Sequence, residues 1–422
     1  MAASRALPGE HNPVKAPSAS PLGASARTLP TGIRDINQLK ILRLLSQNPG
    51  LSRHQVVQRT GLAKATVSQI TNELFLRGLL REIDEPAGKL TVGRPPTKLE
   101  FTTRRTTIGI EITGSQCTAA LTDLHARPLR IRSAPLETHA VPAVVGALTR
   151  QVRQLSNPLA GGTVVGVGVA VPGIVGSARS SVRLAENLGW EDVPLGELLA
   201  DATGVPVTLI NRTNAGALAE YRLGSGRGAT NLVYASLNVG IGAGVVIDGQ
   251  LYEGATGCAG ELGHITVDRN GERCRCGNRG CLELVAALPA LLRSYNHPVA
   301  AAPGHNHHTA SLLRAADELR QQANAGDADA LAVVQQAARY FGLAVAQLAN
   351  AFNPDTVVID TPLLKNDTLF LPEFTEALAD YTFPVAFSGL KTAAASFGAR
   401  GGAIGAAMFA IDEVLISGRV RS

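Results

Sequence analysis

No apolar run in this sequence reaches the roughly 20 residues that a membrane-spanning helix needs. Arg5 lies near the start, but no apolar segment follows it, so no secretory leader is expected. Cysteine is scarce: five in 422 residues, too few for a disulfide scaffold. Charge is modest too, at 17% of residues against 45% hydrophobic, which fits a soluble, globular, cytoplasmic protein. What remains is a chain long enough to bury a substantial core in two or three compact units.

The sparse charge is unevenly placed. Residues 1–104 carry 15 Lys and Arg against 7 Asp and Glu, whereas the rest carries 24 against 27. A basic head on a slightly acidic body points to a polyanionic partner for the head. A solvated basic tail would give the same balance, so the helical pattern has to decide.

Residues 1–31, rich in Ala, Ser, Pro and Gly and without periodicity, read as a disordered arm. Ile36, Leu39, Ile41, Leu42 and Leu45 recur on one helical face, and Asn48-Pro49-Gly50 breaks that helix. Ser52 stands three residues before Gln55, a capping-box pattern for a second helix that ends near Thr60. Gly61 makes a turn, and a third helix over about Ala63 to Arg77 buries Val67, Ile70 and Leu74 before Gly78 ends it. Strands at Leu80–Ile83 and 97–101, joined by the loop 84–96, complete a winged helix-turn-helix over 32–104. The third helix is the candidate reader of duplex DNA. Its exposed positions are Lys64, Ala65, Thr66, Ser68, Gln69 and Asn72: Lys, Thr and Ser suit phosphate, Gln and Asn suit base edges. Arg94, bracketed by Gly93 and Pro95-Pro96 on the wing, suits a narrow minor groove. The competing reading is a helical subdomain that only makes dimer contacts. Residues 102–106 read as a short polar linker.

Beyond it the texture becomes α/β. Ile108–Ile112, Cys117–Asp123 and Leu129–Leu136 form a strand meander, Val141–Leu155 a helix, and Val164–Val171 and Val207–Ile210 two more strands, with a helix from about Asn214. The theme returns with strands Leu232–Leu237 and Gly244–Ile247, a long helix Ala328–Phe352 and strand Thr356–Ile359. This predicts two lobes, 105–225 and 226–422, with a ligand cleft between them and a C-terminal helix free to pack back on the first lobe. His305, His307 and His308 interrupt the second lobe as a solvated loop.

His264, Cys274, Cys276 and Cys281 together offer a complete tetrahedral donor set for structural zinc, with Gly271, Gly277 and Gly280 permitting a tight knuckle. Reduced cysteines in a Gly-rich turn are the alternative. Four protein donors leave no open position for an activated water. Cys117 and Cys258 read as ordinary small core residues.

The run Gly260-Glu261-Leu262-Gly263-His264, followed by Cys274-Arg275-Cys276-Gly277-Asn278-Arg279-Gly280-Cys281-Leu282-Glu283, closely resembles the signature of the ROK family of repressors, open reading frames and kinases. The resemblance covers about Thr107 to the C-terminus. It implies the two-lobed actin-like, ribonuclease H-like ATPase fold and a homodimer or homotetramer. With the winged helix in front, the chain resembles the repressor branch, alongside xylose and N-acetylglucosamine repressors. The resemblance further implies a sugar pocket: Asn187 matches the hydroxyl-binding asparagine, and Glu261, His264 and Glu283 match the residues that hold the sugar ring. Carboxylates and amides suit paired hydroxyls, and His264 can turn one ring nitrogen to zinc and the other to the ligand.

The kinase machinery departs from the family pattern. The first phosphate loop, typically Asp-x-Gly-Gly-Thr, reads Glu111-Ile112-Thr113-Gly114-Ser115. The second reads Leu237-Asn238-Val239-Gly240-Ile241-Gly242, better taken as a hairpin turn. The catalytic Asn-Asp-Ala-Asn motif reads Asn211-Arg212-Thr213-Asn214, and a guanidinium cannot serve as a base. The expectation is therefore not an enzyme but a DNA-binding repressor of sugar uptake or catabolism genes, sensing a sugar with an inactive kinase-like body. An active sugar kinase with a DNA-binding head is the alternative, and a body that senses nothing is a third. Arg212 itself has two readings. It projects into the sugar site, where it favours a sugar phosphate or sugar acid, or it turns away and pairs with a carboxylate such as Glu111.

Overall fold

The computed structural model describes residues 32–83, 97–156, 162–298, 309–364 and 369–417. The arm 1–31, the wing tip with Arg94 and the histidines 305, 307 and 308 lie outside the described residues.

The head is built as its sequence dictates. Helix α1 (Ile33–Gln47) is followed by α2 (Arg53–Thr60), whose N-terminus carries the full capping box. The Gln55 amide donates to Ser52 Oγ at 3.3 Å, and the Ser52 amide to Gln55 Oε1 at 2.9 Å. Gly61, at φ 68°, ends α2 in the left-handed region. Helix α3 (Lys64–Leu76) buries Val67, Ile70 and Leu74, and strands β1 (Leu80–Ile83) and β2 (Lys98–Phe101) pair antiparallel. Ile36 departs from the expected face: it is exposed, while Ile41, Leu42 and Leu45 are buried.

The first lobe comprises β3 (Arg105–Ile112), β4 (Gln116–Asp123), β5 (Pro128–Pro135), α4 (Val141–Leu155) and β6 (Thr163–Val171). A small antiparallel sheet follows, β7 (Ile174–Val175), β8 (Val182–Ala185) and β9 (Trp190–Val193), then α5 (Leu195–Thr203), β10 (Val207–Asn211) and α6 (Arg212–Leu223). The second lobe comprises β11 (Leu232–Leu237), β12 (Ile241–Ile247), β13 (Gln250–Tyr252), α7 (Leu282–Ala286), α8 (Leu288–Ser294), α9 (Thr309–Asn324), α10 (Ala328–Phe352), β14 (Thr356–Asp360), α11 (Phe370–Tyr381), α12 (Pro384–Ser388) and β15 (Lys391–Ala394). Helix α13 (Gly401–Ser417) closes the described chain.

The two five-stranded sheets share one topology. Their orders are β10-β6-β3-β4-β5 and β13-β12-β11-β14-β15. In each, a three-stranded antiparallel meander is extended on its first strand by two parallel strands. Each sheet packs its own apolar core. Among the described residues no helix is long and apolar enough to cross a membrane.

Helix α13 packs on β3, β6 and α6 of the first lobe. The approach is close enough to require glycine: a Cβ on Gly109 or Gly168 would stand 1.9 Å from the carbonyl oxygen of Ala403 or Ala406. Further along, α13 meets the head, where Ile404, Met408 and Ile411 share one cluster with Ile41, Leu42 and Leu45. Asp412 pairs with Arg222 of α6 and lies 3.6 Å from the Arg43 guanidinium of α1. The head is thus packed into the body. The supposed linker is correspondingly short, because Arg105 and the buried Thr106 already belong to β3.

Candidate functional site

Three groups of functional side chains were expected: the face of α3, the sugar site with its metal knuckle, and the phosphate side of the cleft. On α3, Lys64, Ala65, Gln69 and Asn72 are exposed, and Thr66 and Ser68 are half-buried. The Asn72 side-chain Oδ1 accepts from Arg53 at 3.1 Å, and Arg53 also pairs with Glu82 at 2.6 Å and stacks over Phe75. Arg53 adds a cation to this face that the sequence reading missed, since its place on α2 gave no sign that it reaches across to α3.

The knuckle is a small hairpin. Backbone bridges pair Thr266 with Cys281 and Arg273 with Arg279, and Gly280, at φ 59°, sits where a Cβ would meet the Asp268 carbonyl oxygen at 1.5 Å. His264, Cys274, Cys276 and Cys281 converge, with their donor atoms all within 4.8 Å of one another. Cys276 and Cys281 sulfurs are 3.6 Å apart, and Cys274 Sγ is 3.7 Å from His264 Nδ1. Sulfurs on a tetrahedral zinc with bonds of about 2.3 Å stand about 3.8 Å apart, so the donor set fits such an ion. Burial, and then the neighbouring sulfurs, push the Cys281 thiol up to about 12. Cys117 is buried in the first core as expected, whereas Cys258 is only half-buried, on the loop after β13.

With Nδ1 turned to the sulfurs, the other ring nitrogen of His264 faces Glu283 Oε2 at 3.7 Å. Glu283 lies in the first turn of α7, two residues after Cys281, so the knuckle and the carboxylate are built as one piece. Glu261 stands before the turn that carries His264, and its carboxyl is held above the usual range by burial, then by Glu283 and Glu186. Across from them, Asn187 sits in a 3-10 turn, Glu186–Leu188, fixed by the buried Leu188 and Trp190; the Trp190 indole donates to the His139 carbonyl at 2.7 Å. Arg275 joins the two sides: its guanidinium reaches Glu186 at 2.9 Å, Glu283 at 3.2 Å and Asn187 Oδ1 at 3.3 Å.

The phosphate side is differently made. Arg212, first residue of α6, lies 3.5 Å from Glu111. This is the second of its two readings. Burial lowers the Arg212 guanidinium, and the carboxylates of Glu111 and Asp360 more than offset it. Burial lifts Glu111 to about 7, against the pull of Arg212. Asp360, at the end of β14, accepts from Tyr234 at 2.8 Å and from Ser236 and Asn238 at 3.3 Å. The first loop closes as a hairpin, with Thr113 N and Oγ1 both donating to the Gln116 carbonyl. The second closes likewise, the Asn238 amide donating to Gly240 O at 3.1 Å. Asp360 and Glu186 also escaped the sequence reading; an acid ending an apolar strand was the available signal for the first.

A two-lobed α/β body of paired meander sheets, with a donor-lined cleft and a winged helix packed on one lobe, defines an actin-like sugar-kinase fold carrying a DNA-binding module. The ROK family profile matches residues 107–413, and a winged helix-turn-helix DNA-binding profile matches residues 34–81. The chain belongs to the ROK family. It is 29% identical over 388 residues to a xylose repressor of Bacillus spizizenii, covering 91% of this chain and 97% of that one. Among solved structures, a ROK family transcriptional regulator homologous to the E. coli MLC protein superposes with TM-score 0.76 at 28% identity, over 92% of this chain and 98% of that one. A ROK glucokinase from Streptomyces griseus, in complex with glucose and AMPPNP, superposes with TM-score 0.62 at 28% identity, over 72% of this chain and 99% of its own length.

Proposed function

We propose that this protein is a sugar-responsive transcriptional repressor: a dimeric winged helix binds an inverted-repeat operator near sugar uptake or catabolism genes, and a neutral sugar in the cleft controls it. The observation that carries the reading is Arg212. It occupies the position of the kinase base, is tied to Glu111 and has Asp360 beside it. A cationic side chain cannot take the hydroxyl proton. Relatives matching both head and body are repressors or regulators, whereas the glucokinase matches about the length of the body.

The pairing with Glu111 bears on the ligand. An Arg212 already balanced by a carboxylate offers little to a sugar phosphate or sugar acid, so Asn187, Glu261, His264 and Glu283 face a neutral polyol, whose hydroxyls donate to the acceptors. His264, Cys274, Cys276 and Cys281 hold one structural zinc, which fixes the orientation of the His264 ring and the start of α7. On the head, Lys64, Thr66 and Ser68 meet phosphates, and Gln69 and Asn72 read bases.

The deciding experiment pairs calorimetry against D-xylose, D-glucose and N-acetyl-D-glucosamine, and their phosphates or acids, with operator footprinting and an ATP-dependent phosphorylation assay. Binding of a neutral sugar that loosens a protected inverted repeat, with no phosphorylated product, is the expected result. Gln69→Ala should cut operator discrimination about tenfold, in line with the 1–3 kcal/mol of a bidentate base contact. Turnover of sugar and ATP would replace the proposal with the kinase reading.

A further inference from the structure

Arg275 stands between two metal-site cysteines, where a knuckle needs only a spacer, yet its side chain is the most connected group in the sugar site. It touches Glu186 and Asn187 on the first lobe and Glu283 on the second. Two of these, Asn187 and Glu283, are groups assigned above to sugar hydroxyls. A guanidinium presents planar N–H donors much as a polyol presents vicinal O–H donors. The acceptor atoms a sugar needs, Asn187 Oδ1 and Glu283 Oε1, are therefore each already engaged by the guanidinium.

We propose that Arg275 is an affinity-setting residue of the cleft: an internal competitor that occupies the polyol acceptors when the site is empty and ties the lobes together until a neutral sugar displaces it. The inference rests on the sugar-binding reading of the cleft. Geometry favours displacement over co-binding: each oxygen can accept a second donor, but the guanidinium fills the gap between Asn187 Oδ1 and Glu283 Oε1 that a sugar bridging the same two atoms must enter. Displacement is feasible because the side chain is 42% exposed, so the freed cation returns to water. It also selects against anions. A sugar acid would meet Glu186, Glu261 and Glu283 together, and the cation best placed to offset them is the one it must share.

The tie has a neighbour that makes its release directional. Arg179, between β7 and β8, makes two hydrogen bonds to Glu253 of the second lobe, at 3.1 and 2.6 Å, and lies over the Phe409 ring of α13. Both arginines join the small sheet β7–β9 to the second lobe. Loss of the Arg275 tie frees the Asn187 end, while the Arg179 end stays fixed.

The sign of one affinity change tests the idea. Arg275→Gln removes the charge and keeps a polar stem; with one exposed and one half-buried ion pair lost, the sugars named above should bind roughly three- to tenfold tighter. A residue that merely positions Glu283 and Asn187, or that contacts the ligand, would on removal weaken binding. Weaker or unchanged affinity therefore overturns the proposal. Hydrogen exchange on the sugar-free, zinc-replete protein reads the tie without any ligand. In Arg275→Gln, amides 186–190 should exchange faster while those at 174–179 hold, and identical exchange in both segments overturns the proposal as well. Should no sugar bind either protein, the proposed function fails, and the exchange result alone decides the tie. Zinc content equal to wild type certifies that the variant's knuckle is folded.

Discussion

The two halves of the cleft handle charge in opposite ways. On the sugar side, Glu186, Asn187 and Arg275 are exposed and Glu283 is half-buried, and the contacts of Arg275 with the other three are open to replacement by a ligand. On the phosphate side, Glu111 is 4% exposed and locked to Arg212, and the second acid, Asp360, is satisfied by protein donors. Polar groups that remain near solvent can exchange partners at small cost, whereas a buried pair holds its partners because breaking it strands a charge. One half is open to exchange of partners and the other is shut on its own pairs, the distribution that the proposed sugar sensor needs.

The largest break in that contrast should come at the knuckle. Cys281→Ser is expected to abolish metal binding, measured by elemental analysis, and to lower sugar affinity by at least the 10- to 100-fold typical of disturbed metal surroundings. Cys117→Ser, equally buried but in the first lobe, should leave metal content unchanged. Full metal in Cys281→Ser would remove the knuckle from the account of the sugar site.

A smaller effect is expected from the shut half through pH. Glu111 is raised to about 7 by burial, so between about 4.5 and 7 the folded chain keeps a proton that the unfolded chain has lost. The stabilisation from this residue is therefore present below the unfolded value and is lost as pH rises toward 7. It amounts to roughly 3 kcal/mol at most. Denaturant unfolding across that range should show the decline in wild type and not in Glu111→Gln; parallel curves would mean that Glu111 is ionised throughout.

The smallest expected change sharpens the comparison most. Arg212→Asp restores the acid of the kinase motif, yet ATP-dependent sugar phosphorylation should stay at background. Both loops remain closed hairpins, and the new carboxylate would join Glu111 and Asp360. Measurable turnover would show that one residue alone kept the shut half inactive.

Local chemistry made the head and the knuckle legible. Ser52 and Gln55 announced the capping box and Gly61 the turn, because each is decided within a few residues, and the spacing of His264, Cys274, Cys276 and Cys281 announced a cluster that does converge. Strands such as Leu232–Leu237 and the helix Ala328–Phe352 were readable for the same reason. The sheet β7–β9 was not: two- and four-residue strands broken by Gly, Ser and Arg carry no periodicity, and what holds them is burial of Val182, Ala185, Trp190 and Val193 in the first lobe's core. Arg275 and Asp360 were hidden likewise, since their partners lie far away in the chain. For Arg212 the sequence offered two side-chain directions, and burial beside Glu111 selects between them.

Helix α13 reaches back to the oldest part of the chain. During synthesis α1 emerges early, while the residues that complete its apolar underside, Ile404, Met408 and Ile411, are made long afterwards. Until they arrive, Ile41, Leu42 and Leu45 lack part of their cover, and Arg43 lacks Asp412. A contact this distant in sequence closes late and slowly. A nascent chain that ends before α13 therefore lacks the apolar support that seats the head on the body.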